Sequence, residues 1–148
     1  MTVEQIGAGE TVIRGEHAGA PRQGVPVPDS EWEKWDTLLA SCKTLKEGWN
    51  GYTAPVPADR ALESAGHFLA AMRVSRVVPT RVGPSAMGGI AVTRKVGDRK
   101  VLIELYNDGR VFALFSDRRS DELPVEELTD APASFPAFIA KMREYLDG

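Results

Sequence analysis

The sequence predicts an α+β fold: two N-terminal helices, an antiparallel meander of three to four strands, and a C-terminal helix. Three observations carry this prediction. Apolar residues recur at three- and four-residue steps in two early stretches and in one at the C-terminal end. Between them lie "GGIAVTRKV", "KVLIELY" and "RVFALFS", runs rich in the β-branched and aromatic residues that favour strands. Short polar connections, "GDR" and "NDG", join these runs, and 148 residues at 43% hydrophobic and 26% charged suit one globular domain.

Residues 1–28 hold five glycines and three prolines without a sustained apolar period, so they predict a flexible N-terminal arm ahead of a single domain over 29–148. "GAGE" at 7–10 resembles a fragment of a phosphate loop, but it lacks the preceding strand and following helix that such a loop needs. The first helix opens at "DSEW". Ser30 and Glu33 have the S-x-x-E spacing of a capping box, in which each side chain satisfies a backbone amide of the other end. Trp32, Trp35, Leu39, Cys42 and Leu45 then fall on one face, and the helix should stop before Gly48.

The segment "GWNGYTAP" follows. Trp49 and Tyr52 flank an Asn50-Gly51 bend, and Pro55 and Pro57 preset the backbone for the next helix. We read Trp49, Asn50, Gly51 and Tyr52 as a structural corner whose two rings fold back onto the helical stripes. A second helix is expected from about Ala58 to Arg73, with Leu62, Ala65, Leu69 and Met72 facing inward. An edge strand is expected within 77–83, where Pro79 is tolerated only at an edge or a strand start.

Asp108-Gly109 is a strong hairpin signal, because a two-residue turn of type I′ needs positive φ at both positions. With those two residues as the loop, Leu105 faces Phe112 and Ile103 faces Leu114. The inner face would then carry Val101, Ile103, Leu105, Phe112 and Leu114, continued by Ile90 and Val92. The outer face would carry Leu102, Glu104, Tyr106, Val111, Ala113 and Phe115, which is too apolar for a purely solvated surface. A helix or the arm, a second subunit, or a partner protein could cover it, and Leu102, Tyr106, Val111 and Phe115 are the candidate protein interface. Residues 116–132 are expected to form a polar, acidic loop that could hold a short turn of helix. A last helix from about Ser134 to Leu146 presents Phe135, Phe138, Ile139, Met142, Tyr145 and Leu146.

The net charge of −3 is unevenly spread: segments 1–57, 58–119 and 120–148 carry balances of −3, +5 and −5. Arg94, Lys95, Arg99, Lys100, Arg118 and Arg119 form a candidate basic patch at one end of the sheet, the basis for an alternative nucleic-acid-binding reading of the basic 73–119 segment. No run approaches the roughly 18 apolar residues of a membrane span, and the N-terminus lacks a secretion signal, so a cytoplasmic protein without membrane contact is expected. Cys42 is the only cysteine, and its place on an apolar stripe predicts a buried, inert thiol.

Chemistry-bearing patterns are sparse. His17 and His67 stand in the arm and on a helix flank, and no serine or cysteine has a nucleophile-elbow context. Metal and phosphate motifs are missing as well, so no catalytic residue, cofactor or metal is expected. Glu122, Glu126 and Glu127 cluster in the acidic loop, where solvation explains them.

"LKEGWNGYTAPVPADRALESAGHFL", "GGIAV" and "LIELYNDGRVFALF" together resemble a loose group of small bacterial and phage-associated proteins without an established activity. The group shares a W-[DN]-G-Y-x-A-x-P segment, a helix, a Gly-Gly strand and a strand closed by a D-G turn. Trp49, Asn50, Gly51, Tyr52 and Ala54 fill the first segment, Pro55 supplying its proline one position early. The resemblance spans residues 45–116. It implies an accessory protein, inhibitor-like or antitoxin-like, that binds and modulates another protein. The expected function is therefore a non-enzymatic interaction module acting through the outer sheet face, the arm, or both, with self-association as a further expectation.

Overall fold

Five antiparallel strands in the order β1-β2-β3-β4-β5 form one sheet in this computed structural model, which describes residues 27–148. The chain runs α1 (Asp29–Cys42), α2 (Asp59–Ser75), β1 (Arg81–Pro84), β2 (Gly89–Val96), β3 (Arg99–Tyr106), β4 (Val111–Asp117), β5 (Val125–Leu128), a 3₁₀ turn (Pro132–Ser134) and α3 (Phe135–Asp147). The class is α+β as expected, with one strand more than the upper expectation. The predicted arm lies outside the described residues except for Val27 and Pro28.

The extra strand is β5, placed in "VEEL" where an acidic loop is expected. It pairs with β4 through Leu128↔Val111 and Val125↔Leu114. Four residues with two adjacent glutamates give little strand signal, yet short, charged strands are what sheet edges use to resist further pairing. Its inward Glu126 forms a salt bridge with Lys141 of α3.

All three helices share one core with the inner face of the sheet. Phe68, Met72, Ile90, Val92, Val101, Ile103, Leu105, Phe135, Ile139 and Met142 are fully buried there. Phe68 of α2 meets Phe135 edge-on at 5.1 Å, and Phe138 of α3 meets Phe115 of β4 at 6.0 Å. Cys42 is buried among these residues, and burial pushes its thiol above the ordinary value. The greasy C-terminal helix thus completes the inner layer, and no helix among the described residues covers the outer face of the sheet.

The helix termini differ from expectation. Ser30 and Glu33 form no capping box, because α1 begins at Asp29, two residues earlier than a Ser30 cap implies, with Pro28 at the N-cap and no side-chain cap. Asp29 is instead engaged by Arg73 Nη2 at 2.6 Å, tying the start of α1 to the last turn of α2. α1 ends at Cys42 and tightens into i→i+3 turns that keep Leu45 against the core. α2 closes with Arg76 in the left-handed region (φ 58°), and the Val77 amide donates to the Met72 carbonyl at 2.9 Å.

The largest correction concerns the register of β3 and β4. Leu105 pairs with Val111 and Ile103 with Ala113, one residue away from the two-residue-loop expectation. The Tyr106 amide donates to the Arg110 carbonyl at 2.9 Å, so the loop is the three residues Asn107, Asp108 and Gly109, with Gly109 at φ 91°. This is a turn closed by a glycine bulge. Because side chains alternate with period two, a one-residue slip turns every β4 side chain to the other face.

Asn107 explains the choice. Its Oδ1 accepts from the Ala58 amide at 2.7 Å, its Nδ2 donates to the Val56 carbonyl at 2.9 Å, and its own amide donates to Gly88 at 3.1 Å. One side chain therefore joins the hairpin loop to the start of α2. Asn107→Ala would leave two partly buried backbone groups unpaired, and we expect it to lower stability by about 2–4 kcal/mol in urea unfolding. Asn107→Asp keeps the acceptor for Ala58 and should cost less; equal losses would contradict the two-bond account.

Candidate functional site

The open face of the sheet is the candidate site, and its side chains form three cross-strand rows. Ala91, Glu104, Phe112 and Glu127 make the first, Thr93, Leu102, Leu114 and Val125 the second, and Lys95, Lys100 and Ser116 the third. Tyr106 stands beyond the first row. Along β3 and β4 the inward Val101, Ile103, Leu105, Val111, Ala113 and Phe115 are buried, whereas Leu102, Glu104, Tyr106, Phe112 and Leu114 stay half-buried with no helix of the described residues above them. Leu102, Glu104, Tyr106, Phe112, Leu114 and Val125 line a shallow groove of about 330 Å³ on this face.

Tyr106 and Phe112 form an edge-to-face pair, 5.8 Å between centroids at 62°. The Arg110 guanidinium lies 5.6 Å from the first ring and 5.8 Å from the second, and it also pairs with Asp108 Oδ2 at 2.7 Å. Beneath the rings, Glu104 accepts from Ser85 Oγ at 2.5 Å and from the Tyr106 hydroxyl at 3.3 Å. Burial, and then the Glu104 charge, raise the Tyr106 phenol above its ordinary value, so it remains a neutral donor at physiological pH. Asp108 at the loop is held below the ordinary carboxylate range, first by the Arg110 amide.

Two of the four expected interface residues are on this face and two are not. Leu102 and Tyr106 are there. Val111 is fully buried and Phe115 is 5% exposed, both in the core, where Phe115 packs edge-on against Tyr145 at 5.1 Å. The one-residue register shift puts Phe112 and Leu114 in their place. No local signal distinguishes the two registers, since β4 alternates apolar residues on both faces.

The basic patch is also divided. Arg94 turns inward and its Nη1 donates to the Val78 carbonyl at 2.6 Å. Arg99 also serves the fold, donating to Asp117 at 3.1 Å and to the Tyr145 carbonyl at 2.7 Å. Asp117 is held low, first by the Arg119 amide and then by Arg99. The Arg119 guanidinium lies 3.5 Å from Asp98 and 3.7 Å from Asp117. Lys95, Lys100 and Arg118 are exposed, and only the two lysines share the open face. A continuous six-residue patch is therefore not formed.

The corner is half as expected. Trp49 Nε1 donates to the Pro55 carbonyl at 3.0 Å, and Asn50 Oδ1 accepts from the amides of Tyr52 at 3.0 Å and Ala54 at 3.4 Å. Gly51 supplies φ 85° at the bend. Tyr52, however, is 83% exposed, because the Gly48–Ala54 hydrogen bond closes the loop beneath it and leaves residues 50–53 as its tip. The ring does not fold back onto the helices.

A second depression of about 560 Å³ lies between α1 and α2, lined by Asp36, Leu39, Lys43, Asp59, Leu62 and Glu63. It gathers three carboxylates and the Lys43 amine, with no serine, cysteine or histidine in its lining. Among the described residues no group of three or more His, Cys, Asp or Glu is placed to hold a metal, and no helix is long and apolar enough to cross a membrane. His67 is exposed on α2. No family model, curated protein or solved structure matches the chain.

Proposed function

We propose that this protein is a non-enzymatic interaction module whose open sheet face binds another protein and modulates it, as an accessory, inhibitor or antitoxin-like component. The observation that carries this reading is the half-buried strip of Leu102, Tyr106, Phe112 and Leu114 on a face that no helix among the described residues covers. Aromatic anchors paired with arginine, set in a shallow apolar groove, are the composition of an interface centre. The resemblance to small phage-associated proteins supports the modulating role.

The alternative, a nucleic-acid surface, draws on the exposed Lys95 and Lys100 and on the stacking capacity of Tyr106 and Phe112. The arrangement of charge disfavours it. Glu104 and Glu127 flank Phe112 along its row and would repel phosphates beside the rings, while the lysines stand two rows away.

Tyr106→Ser/Phe112→Ser is the direct test. The double variant should keep the wild-type circular dichroism spectrum and lose a partner recovered by affinity purification from the native host, with binding at least about tenfold weaker. Full retention of the partner by a folded double variant would defeat the reading. Steeply salt-dependent binding of a single-stranded oligonucleotide, lost in Lys95→Glu/Lys100→Glu, would favour the alternative.

A further inference from the structure

The three rows of the open face differ in charge as well as in polarity. The first carries Glu104 and Glu127, the second is apolar at Leu102, Leu114 and Val125, and the third carries Lys95 and Lys100. Read along the strands, the face is acidic, then apolar, then basic, Arg110 over the rings at the acidic end being paired with Asp108. Arg81 stands at the β1 edge of the middle row, two strands from its centre. Sheet twist of about 20–25° per strand carries that corner away from anything seated on β3 and β4.

A surface ordered this way is complementary to itself. A twofold axis lying in the interface along the middle row, across the strands, sets Leu102 and Leu114 of one copy on the same residues of the other. The same operation lays the acidic row of each copy on the basic row of its mate, with Lys100 opposite Glu104 because both lie on β3. An axis parallel to the strands would instead oppose Glu104 to Glu104 and Lys100 to Lys100. Resting on the interaction reading above, we infer that until that partner binds, the occupant of the open face is a second copy of this chain, packed face to face with its strands running antiparallel to those of the first.

The area sets the strength of the pair. The four strands β2 to β5 at about 4.8 Å and three rows at about 7 Å outline roughly 400 Å² per copy. The total of about 800 Å² is the size of a weak, transient encounter. The dimer is accordingly a dissociable one, and its opposed rows of charge make it weaken as salt rises.

Sedimentation equilibrium on the full chain, over a series reaching about 1 mM, tests this directly. Wild type should dimerise reversibly, and Leu114→Asp should remain monomeric with an unchanged thermal melt. Charge reversal gives the sharper result. Lys95→Glu/Lys100→Glu makes the face acidic throughout and Glu104→Lys/Glu127→Lys makes it basic throughout. Each should raise the dimer dissociation constant at least about tenfold alone, and an equimolar mixture should form a one-to-one heterodimer. Glu127→Lys alone, at an exposed position, replaces the second variant if the change at Glu104 unfolds the chain. A wild type that stays monomeric throughout the series, or reversed variants that dimerise as wild type does, would overturn self-pairing. That failure leaves the interaction reading to stand or fall on the Tyr106→Ser/Phe112→Ser experiment.

Discussion

Replacing Gly89 by alanine is expected to unfold the domain or bring it to the edge of unfolding. Gly89 opens β2 at φ 133°, paired with Tyr106. A Cβ built there would lie 2.1 Å from the Leu105 carbonyl oxygen and 2.9 Å from the Tyr106 Cα. Both are backbone atoms of the adjacent central strand, so no rotamer change relieves the collision, and β2 would have to part from β3. We expect a loss of about 4 kcal/mol or more, a large share of the roughly 5–15 kcal/mol that holds a typical domain. Gly83→Ala is the control. Nothing lies within 4 Å of its added Cβ, and its stability should stay within about 0.5 kcal/mol of wild type. Urea denaturation followed by circular dichroism measures both, and equal midpoints for Gly89→Ala and wild type would refute the account.

The second large effect is expected at Phe68. Its ring is fully buried, with Phe135 at 5.1 Å and Phe138 at 6.3 Å, and it joins α2 to α3 above the sheet. Phe68→Ala removes the ring and leaves a cavity that the surrounding helices and strands can fill only in part. The loss should be about 3–5 kcal/mol, whereas Phe68→Leu retains most of the volume and should cost roughly 1–2 kcal/mol. Because the missing contacts are those of α3, amide exchange in Phe135–Asp147 should accelerate more than in β3. Uniform acceleration across both elements would argue against a local tie.

The two sites belong to one arrangement. Gly89 lets β2 approach β3 closely, Gly88 offers its carbonyl to the Asn107 amide, and Asn107 then binds Val56 and Ala58 at the start of α2. The loop between the first two helices, the Gly-Gly strand start and the hairpin turn thus meet at one end of the sheet. The open face depends on the same junction, because the register that Asn107 imposes is what turns Phe112 and Leu114 outward.

Local chemistry determined much of this fold from the sequence alone. The three- and four-residue steps of Trp32, Trp35, Leu39 and Cys42, and of Leu62, Ala65, Leu69 and Met72, placed the helices and their inward faces, since helix periodicity is a property of adjacent turns. Alternation in "KVLIELY" placed Val101, Ile103 and Leu105 inside and Leu102 and Tyr106 outside. Position in the tertiary structure decided the rest. Strand β4 carries apolar side chains on both faces, so its inward set was chosen by hydrogen bonds from Asn107 to residues about fifty positions away. Strand β5 had no signal of its own and exists because β4 offers it an edge. Arg94 and Arg99 were drawn inward by carbonyls that only the folded chain brings near them. Periodicity is written in neighbouring residues, whereas register, edges and the destination of a long side chain depend on partners distant in sequence.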